Sequence, residues 1–198
     1  MLDLCEARAP RALHVNGVDH QPWFAETTFS AANLASRQPI VALHCWAKFT
    51  GAIERSGSLG EASTRLIPAM AALARAYAGD ADKPIWCQEF GANDAWMGEE
   101  LIPRYAEKAI GAAFEGGVAW LTWWDTHDIS RGMAFDSCEY NCGLLTSDNM
   151  LKPAARVLKS FAEAYRGKPA AILARACAQP PPERTAEATW QWLLDWLG

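Results

Sequence analysis

The 198-residue chain has no basic run, no long apolar run and no glycine-rich phosphate loop. Lys and Arg number 18 against 23 Asp and Glu, a net charge of −5 at pH 7. That balance argues against nucleic acid and anionic membrane as partners, since both are held by clustered cations. No apolar stretch approaches the ~18 residues of a membrane-spanning helix. The start, MLDLCEARAPR, has acids where a secretion signal has lysines, and no apolar core follows. As written, the sequence carries no export signal, and its compartment stays open. No strand is followed by a dinucleotide or P-loop turn. The six cysteines include no CxxC and no second His/Cys set, which speaks against zinc. No metal and no cofactor is expected.

What is present is an ordinary globular composition, 51% hydrophobic and 21% charged. The length suits one domain with a real core. Ten tryptophans is the unusual figure. Core packing is the plain use of an indole, but several stand at strand ends, where a flat ring can stack on a sugar. Cys45 and Cys87 lie in apolar runs and read as core residues. Cys138 and Cys142, in DSCEYNC, either pair or stay free.

Along the chain, apolar strands alternate with helices. Residues 1–11 read as a helix end and a turn, and Ala12–Val18 as a strand. Residues 25–38 read as irregular, with Asn33 and Ser36 as turn formers. Pro39–Cys45 is a continuous apolar run of the kind a buried parallel strand needs. Ser58 and Glu61 resemble a capping box. Leu66, Ile67, Met70, Leu73 and Tyr77 then fall at helical spacing, with Pro68 marking a kink or the true start, and Gly79 the end. The strand Pro84–Gln88, a helix over Glu99–Glu115, the strand Val118–Trp123 and a helix opening at Pro153 follow. A Pro-rich linker spans 179–184, and an amphipathic helix 185–198. Residues 1–178 form the body.

Chemistry-bearing side chains collect where these strands end. Asp19 and His20 follow the first, and His44 and Trp46 the second. Glu89 ends the third, and Trp123 and Asp125 the fourth. A carboxylate at the end of a buried strand is costly unless it is used there. The alternation argues for a parallel α/β sheet, and functional groups at strand ends for a barrel of the (β/α)8 TIM type. His127 with Asp125 and Asp128, in WWDTHD, reads as a solvated loop rim, because no second segment supplies metal ligands.

One ordered set of motifs has a family behind it. His44-Cys45-Trp46 ends a strand. Trp86 to Gly91 spells W-x-x-E-F-G. Trp123 ends the next strand, and Gly143 to Asp148 spells G-L-L-x-x-D, with Lys152-Pro153 after it. The set, over roughly residues 12–166, resembles the second half of clan A retaining β-glycosidases. It is most similar to glycoside hydrolase family 5, the cellulases, mannanases and their relatives. The resemblance implies strands five to eight of the barrel, Glu89 as nucleophile, His44 lining the glycone site and Trp123 stacking under the sugar. Asp19 and His20 would line the site from the fifth strand. Trp46 stands where the family has a tyrosine beside the nucleophile. The family's acid/base glutamate sits in Asn-Glu-Pro, a motif these residues lack. The resemblance therefore implies a carbohydrate substrate and an incomplete reaction centre. It also implies an uncovered sheet face that invites self-association or a complementary half-barrel. Family members are often secreted.

Overall fold

A computed structural model describes residues 2–118, 120–134, 139–168 and 178–198. Three parallel strands form its sheet, β1 (Val41–His44), β2 (Ile85–Phe90) and β3 (Trp120–Trp123), in that order. Each run is short, apolar and β-branched or aromatic enough to sit buried in a sheet. The crossover from β1 to β2 runs through α4 (Ala52–Ser56), α5 (Glu61–Thr64) and α6 (Leu66–Ala78). The crossover from β2 to β3 runs through α7 (Asp94–Met97) and α8 (Ile102–Glu115). Before β1 come α1 (Leu2–Arg8), α2 (Gln21–Phe24) and α3 (Ala31–Arg37), and after β3 come α9 (Pro153–Tyr165) and α10 (Ala186–Leu197). This is an α/β arrangement.

One face of the sheet is closed by helices. Val41, Leu43, Ile85 and Cys87 are fully buried there with Leu73 and Ala74 of α6 and Ala106 and Ala109 of α8. The alanines let helix backbones approach the strands closely. Pro68 falls in the first turn of α6, where a missing N–H costs little, so it marks the helix start without breaking it. On the other face, Trp86 donates its indole N–H to Thr122 Oγ1 at 2.9 Å, and Trp120 is 50% exposed.

Three local expectations differ from the structure. The strand expected over Ala12–Val18 is reduced to one parallel bridge, Val18 to Leu43. The Asn16 amide instead bonds the Gln38 side chain, and Asn and Gly are poor strand formers. Residues 31–37 are helical, not irregular. Ser30 caps α3 by accepting from the Asn33 amide, and Leu34 and Ala35 bury its inner face. The capping box at Ser58 and Glu61 does not form. Gly60 stands at the N-cap of α5, and the Ser56 hydroxyl accepts from Ser63 instead.

The tail is tied to the body. Trp190 of α10 is 3% exposed, and its indole donates to the Thr50 carbonyl at 2.9 Å. Burying that ring contributes ~2–3 kcal/mol. Arg184, before α10, donates to the carbonyls of Pro22, Ala25 and Phe29. Cys138 lies outside the described residues, and so does its pairing with Cys142. No helix among the described residues is long and apolar enough to cross a membrane.

Candidate active site

Glu89 owes its direction to an irregularity in β2. Leu43 pairs with Cys87, but His44 pairs with Glu89. On the other side, Cys87 pairs with Leu121 and Phe90 with Trp123. Against both neighbours β2 therefore carries one extra residue. Side chains of a regular strand alternate faces, so Gln88 and Glu89 would point oppositely. The bulge re-aims Glu89 to the side of Gln88. Both side chains then reach the same imidazole, that of His44.

The contacts at Glu89 are specific to one oxygen. Trp46 donates its indole N–H to Oε2 at 3.2 Å, and His44 Nδ1 stands 3.3 Å from the same Oε2. His44 Nε2 stands 3.1 Å from Gln88 Oε1. The Glu89 backbone is fixed too, since its carbonyl accepts from the Cys45 amide at 2.7 Å. Glu89 is 24% exposed in its side chain, so the carboxylate is neither sealed nor free. Gly91 makes the turn beyond it possible. A Cβ there would lie 2.5 Å from the Trp124 carbonyl oxygen and 3.2 Å from the Trp46 ring.

The aromatic surroundings are layered. Trp46 itself is nearly buried, and it packs edge-on to Trp96, with ring centroids 5.7 Å apart. Phe49 meets Trp96 at 5.1 Å and is 43% exposed. Trp123 is 7% exposed, donates to the Cys142 carbonyl at 2.8 Å and packs against Phe90. Its ring thus lies behind the strand end. The indole open to solvent at this point is that of Trp124, which donates to Glu139 at 2.8 Å. Adjacent residues at a strand end face opposite ways, so the Trp-Trp pair could have signalled the choice without deciding it.

Of the six candidate residues, the structure brings Glu89, His44 and Trp46 together. Asp19 and His20 form their own pair, His20 Nδ1 to Asp19 Oδ1 at 3.0 Å, one residue beyond the Val18 bridge to Leu43. Burial pushes the Asp19 carboxyl up, but its bonds to His20 outweigh that and hold it below the ordinary value. Gln88, on which His44 leans, was not singled out from the sequence.

The loop after β3 has a different character. Burial raises the Asp125 carboxyl above its ordinary value, and the negative charges of Glu139 and Asp128 add to the effect. Its Oδ1 is buried without a hydrogen-bond partner among the described residues. Asp128 pairs with Lys152 at 2.8 Å and accepts from the Gly143 amide, while His127 bonds Asn149. These residues hold the loop. Among the described residues, no three His, Cys, Asp or Glu side chains are grouped to hold a metal.

No protein-family model matches the sequence, and no curated protein does. Solved structures do. The GH5_18 protein of Streptomyces cattleya, solved in complex with GlcNAc, is 28% identical, with a TM-score of 0.84 over all of this chain and 50% of that one. A form of the same protein was solved in complex with Manβ1-4GlcNAc. The GH5_18 of Bifidobacterium longum subsp. infantis is 26% identical, with a TM-score of 0.78 over 86% of this chain and 42% of that one. An exo-beta-1,4-mannosidase from an Opitutaceae bacterium, strain TAV5, shares the fold at 20% identity and a TM-score of 0.71, over 97% of this chain and 38% of that one. The chain thus spans about half the length of the structures that it matches. It resembles glycoside hydrolase family 5 over that half.

Proposed function

We propose that the chain carries the nucleophile half of a retaining β-glycosidase centre, with Glu89 as the nucleophile. The observation that carries this is the convergence of two ring nitrogens, Trp46 Nε1 and His44 Nδ1, on Oε2 of a strand-end carboxylate. Both orient the group, and Oε1 is left to attack. In the double displacement, that oxygen forms a bond to the anomeric carbon as the leaving group departs with its electron pair. Water then attacks the glycosyl-enzyme and releases the sugar and the carboxylate. The acid/base glutamate that would protonate the leaving group has no Asn-Glu-Pro counterpart in these 198 residues. Asp19, His20 and the exposed Trp124 are assigned to the sugar-facing wall, with Trp123 behind Trp124.

The Streptomyces neighbour was solved with Manβ1-4GlcNAc, which suggests a β-linked manno-configured oligosaccharide as substrate class. The test uses a reagent that needs no acid. A 2-deoxy-2-fluoro-β-mannosyl fluoride carries its own good leaving group, and its glycosyl-enzyme hydrolyses slowly. Peptide mass mapping is expected to find the adduct on Glu89. No adduct at saturating reagent sinks the reading.

The open sheet face belongs to the same reading. In a closed barrel it is interior, so Trp86 and Trp120 are expected to be covered by a complementary set of strands or, without one, by a second copy of the chain. Sedimentation velocity over about a tenfold concentration range is expected to show self-association. A monomer at every concentration contradicts this part.

A further inference from the structure

The bulge in β2 leaves a residue that the proposed chemistry has not yet used. Gln88 is the residue left without a partner on β1, and it lies within the irregular stretch against β3. Its side chain lies in a slot that exists because residue 17 is glycine. A Cβ on Gly17 would stand 1.7 Å from Gln88 Oε1 and 2.8 Å from its amide carbon. From that slot the amide meets His44 Nε2 at 3.1 Å, on the side of the ring opposite the Nδ1 contact to Glu89.

We infer that Gln88 is a positioning residue for the Glu89 centre, holding the far nitrogen of His44 so that Nδ1 keeps its proton on Oε2. The inference rests on Glu89 being the reacting carboxylate. The chemistry is that of donors and acceptors. A carboxylate only accepts, so while the ring is held with Nδ1 at 3.3 Å from Oε2, a hydrogen on that nitrogen is favoured. A primary amide can serve Nε2 in either state, since its oxygen accepts from an N–H and its NH2 donates to a bare nitrogen. In both states, turning the imidazole over would break two contacts. An apolar side chain at position 88 serves neither, and the ring is then free to place its proton on Nε2, as an unrestrained neutral imidazole prefers. Such outer partners fix the tautomer and angle of a working histidine.

The signature is spectroscopic and needs no turnover. Long-range 1H–15N correlation spectra report which ring nitrogen is protonated. The chain has four histidines, and His44 is assigned from the signal lost in His44→Asn. At a pH where the ring is neutral, the intact chain is expected to show His44 with Nδ1–H alone. Gln88→Met is expected to add or substitute the Nε2–H pattern, with the His14, His20 and His127 signals unmoved. Gly17→Ala, which crowds the amide out of its slot, is expected to do the same with Gln88 still present. Gln88→Asn keeps the amide one methylene short of His44 and carries the test if Gln88→Met does not fold. The maximal rate of labelling at Glu89 is expected to fall about tenfold in these variants, with reagent affinity little changed. An unchanged His44 pattern in a folded Gln88 variant overturns the inference, whether or not Glu89 is labelled. A changed pattern in a chain that is never labelled keeps the positioning and removes the hydrolase reading.

Discussion

Two carboxylates stand beyond neighbouring strands, Glu89 at the end of β2 and Asp125 after β3, and their surroundings differ. One oxygen of Glu89 is met by two ring nitrogens from β1 and the residues just after it. Asp125 has a buried oxygen with no partner among the described residues, and two acids nearby raise its carboxyl further. Position at a strand end is the same for both. What differs is whether the next strand delivers donors. A carboxylate given N–H groups on one oxygen is oriented for attack. One given negative neighbours is a local cost to the fold.

Four changes break or sharpen this contrast. The largest effect is expected from Glu89→Gln, which removes the charge of the proposed nucleophile and should cut covalent labelling by about a thousandfold or more. Asp125→Asn should leave labelling unchanged, and comparable losses in both would erase the distinction. Gly91→Ala comes next, because it lies between the two sites. Its Cβ would meet the Trp124 backbone carbonyl, which cannot swing aside as a flexible side chain can. A loss of about 1–3 kcal/mol in denaturant unfolding is expected. Trp46→Phe keeps an aromatic ring packed against Trp96 and removes the N–H. Labelling should slow about tenfold with stability nearly held.

The smallest effect concerns pH. The folded Asp125 carboxyl binds its proton more tightly than the unfolded one, so the folded state holds more protons between the two pKa values. Stability therefore falls as pH rises from the ordinary carboxylate value through the raised one, and the loss is complete above it. Asp125→Asn should remove that slope and raise Tm at pH 7 by roughly 1–2 °C, a modest gain because solvent still reaches the group. A variant whose Tm keeps the same dependence on pH would assign the slope to other groups.

Much of this was legible in the residues. β1 and β2 announce themselves as apolar runs ending in His44 and Glu89, and α6, α8, α9 and α10 by their spacing and end residues. Strand-end position put Glu89 and His44 among the candidates, and the family resemblance set Trp46 beside the carboxylate. Gln88 was not singled out, because strict alternation sends it away from Glu89, and a bulge has no signal in a single strand. The family resemblance implies Trp123, at the end of its apolar run, as the stacking ring. The backbone instead turns its indole toward Phe90 and Cys142 and leaves Trp124 outside. The stretch at Ala12–Val18 alternates like a strand, yet its Asn16 and Gly17 serve side-chain contacts instead. Periodicity records which way a residue faces in a regular element, and the departures here lie where the element is irregular.

Arg184 sets an order of events. Its guanidinium grips carbonyls of the segment just after Asp19 and His20, across a gap of 162 residues to Pro22. Contacts so distant in sequence form late and slow the approach to the native state. During synthesis, at roughly 5–20 residues per second, the segment at Pro22 waits for the 162 residues that bring Arg184.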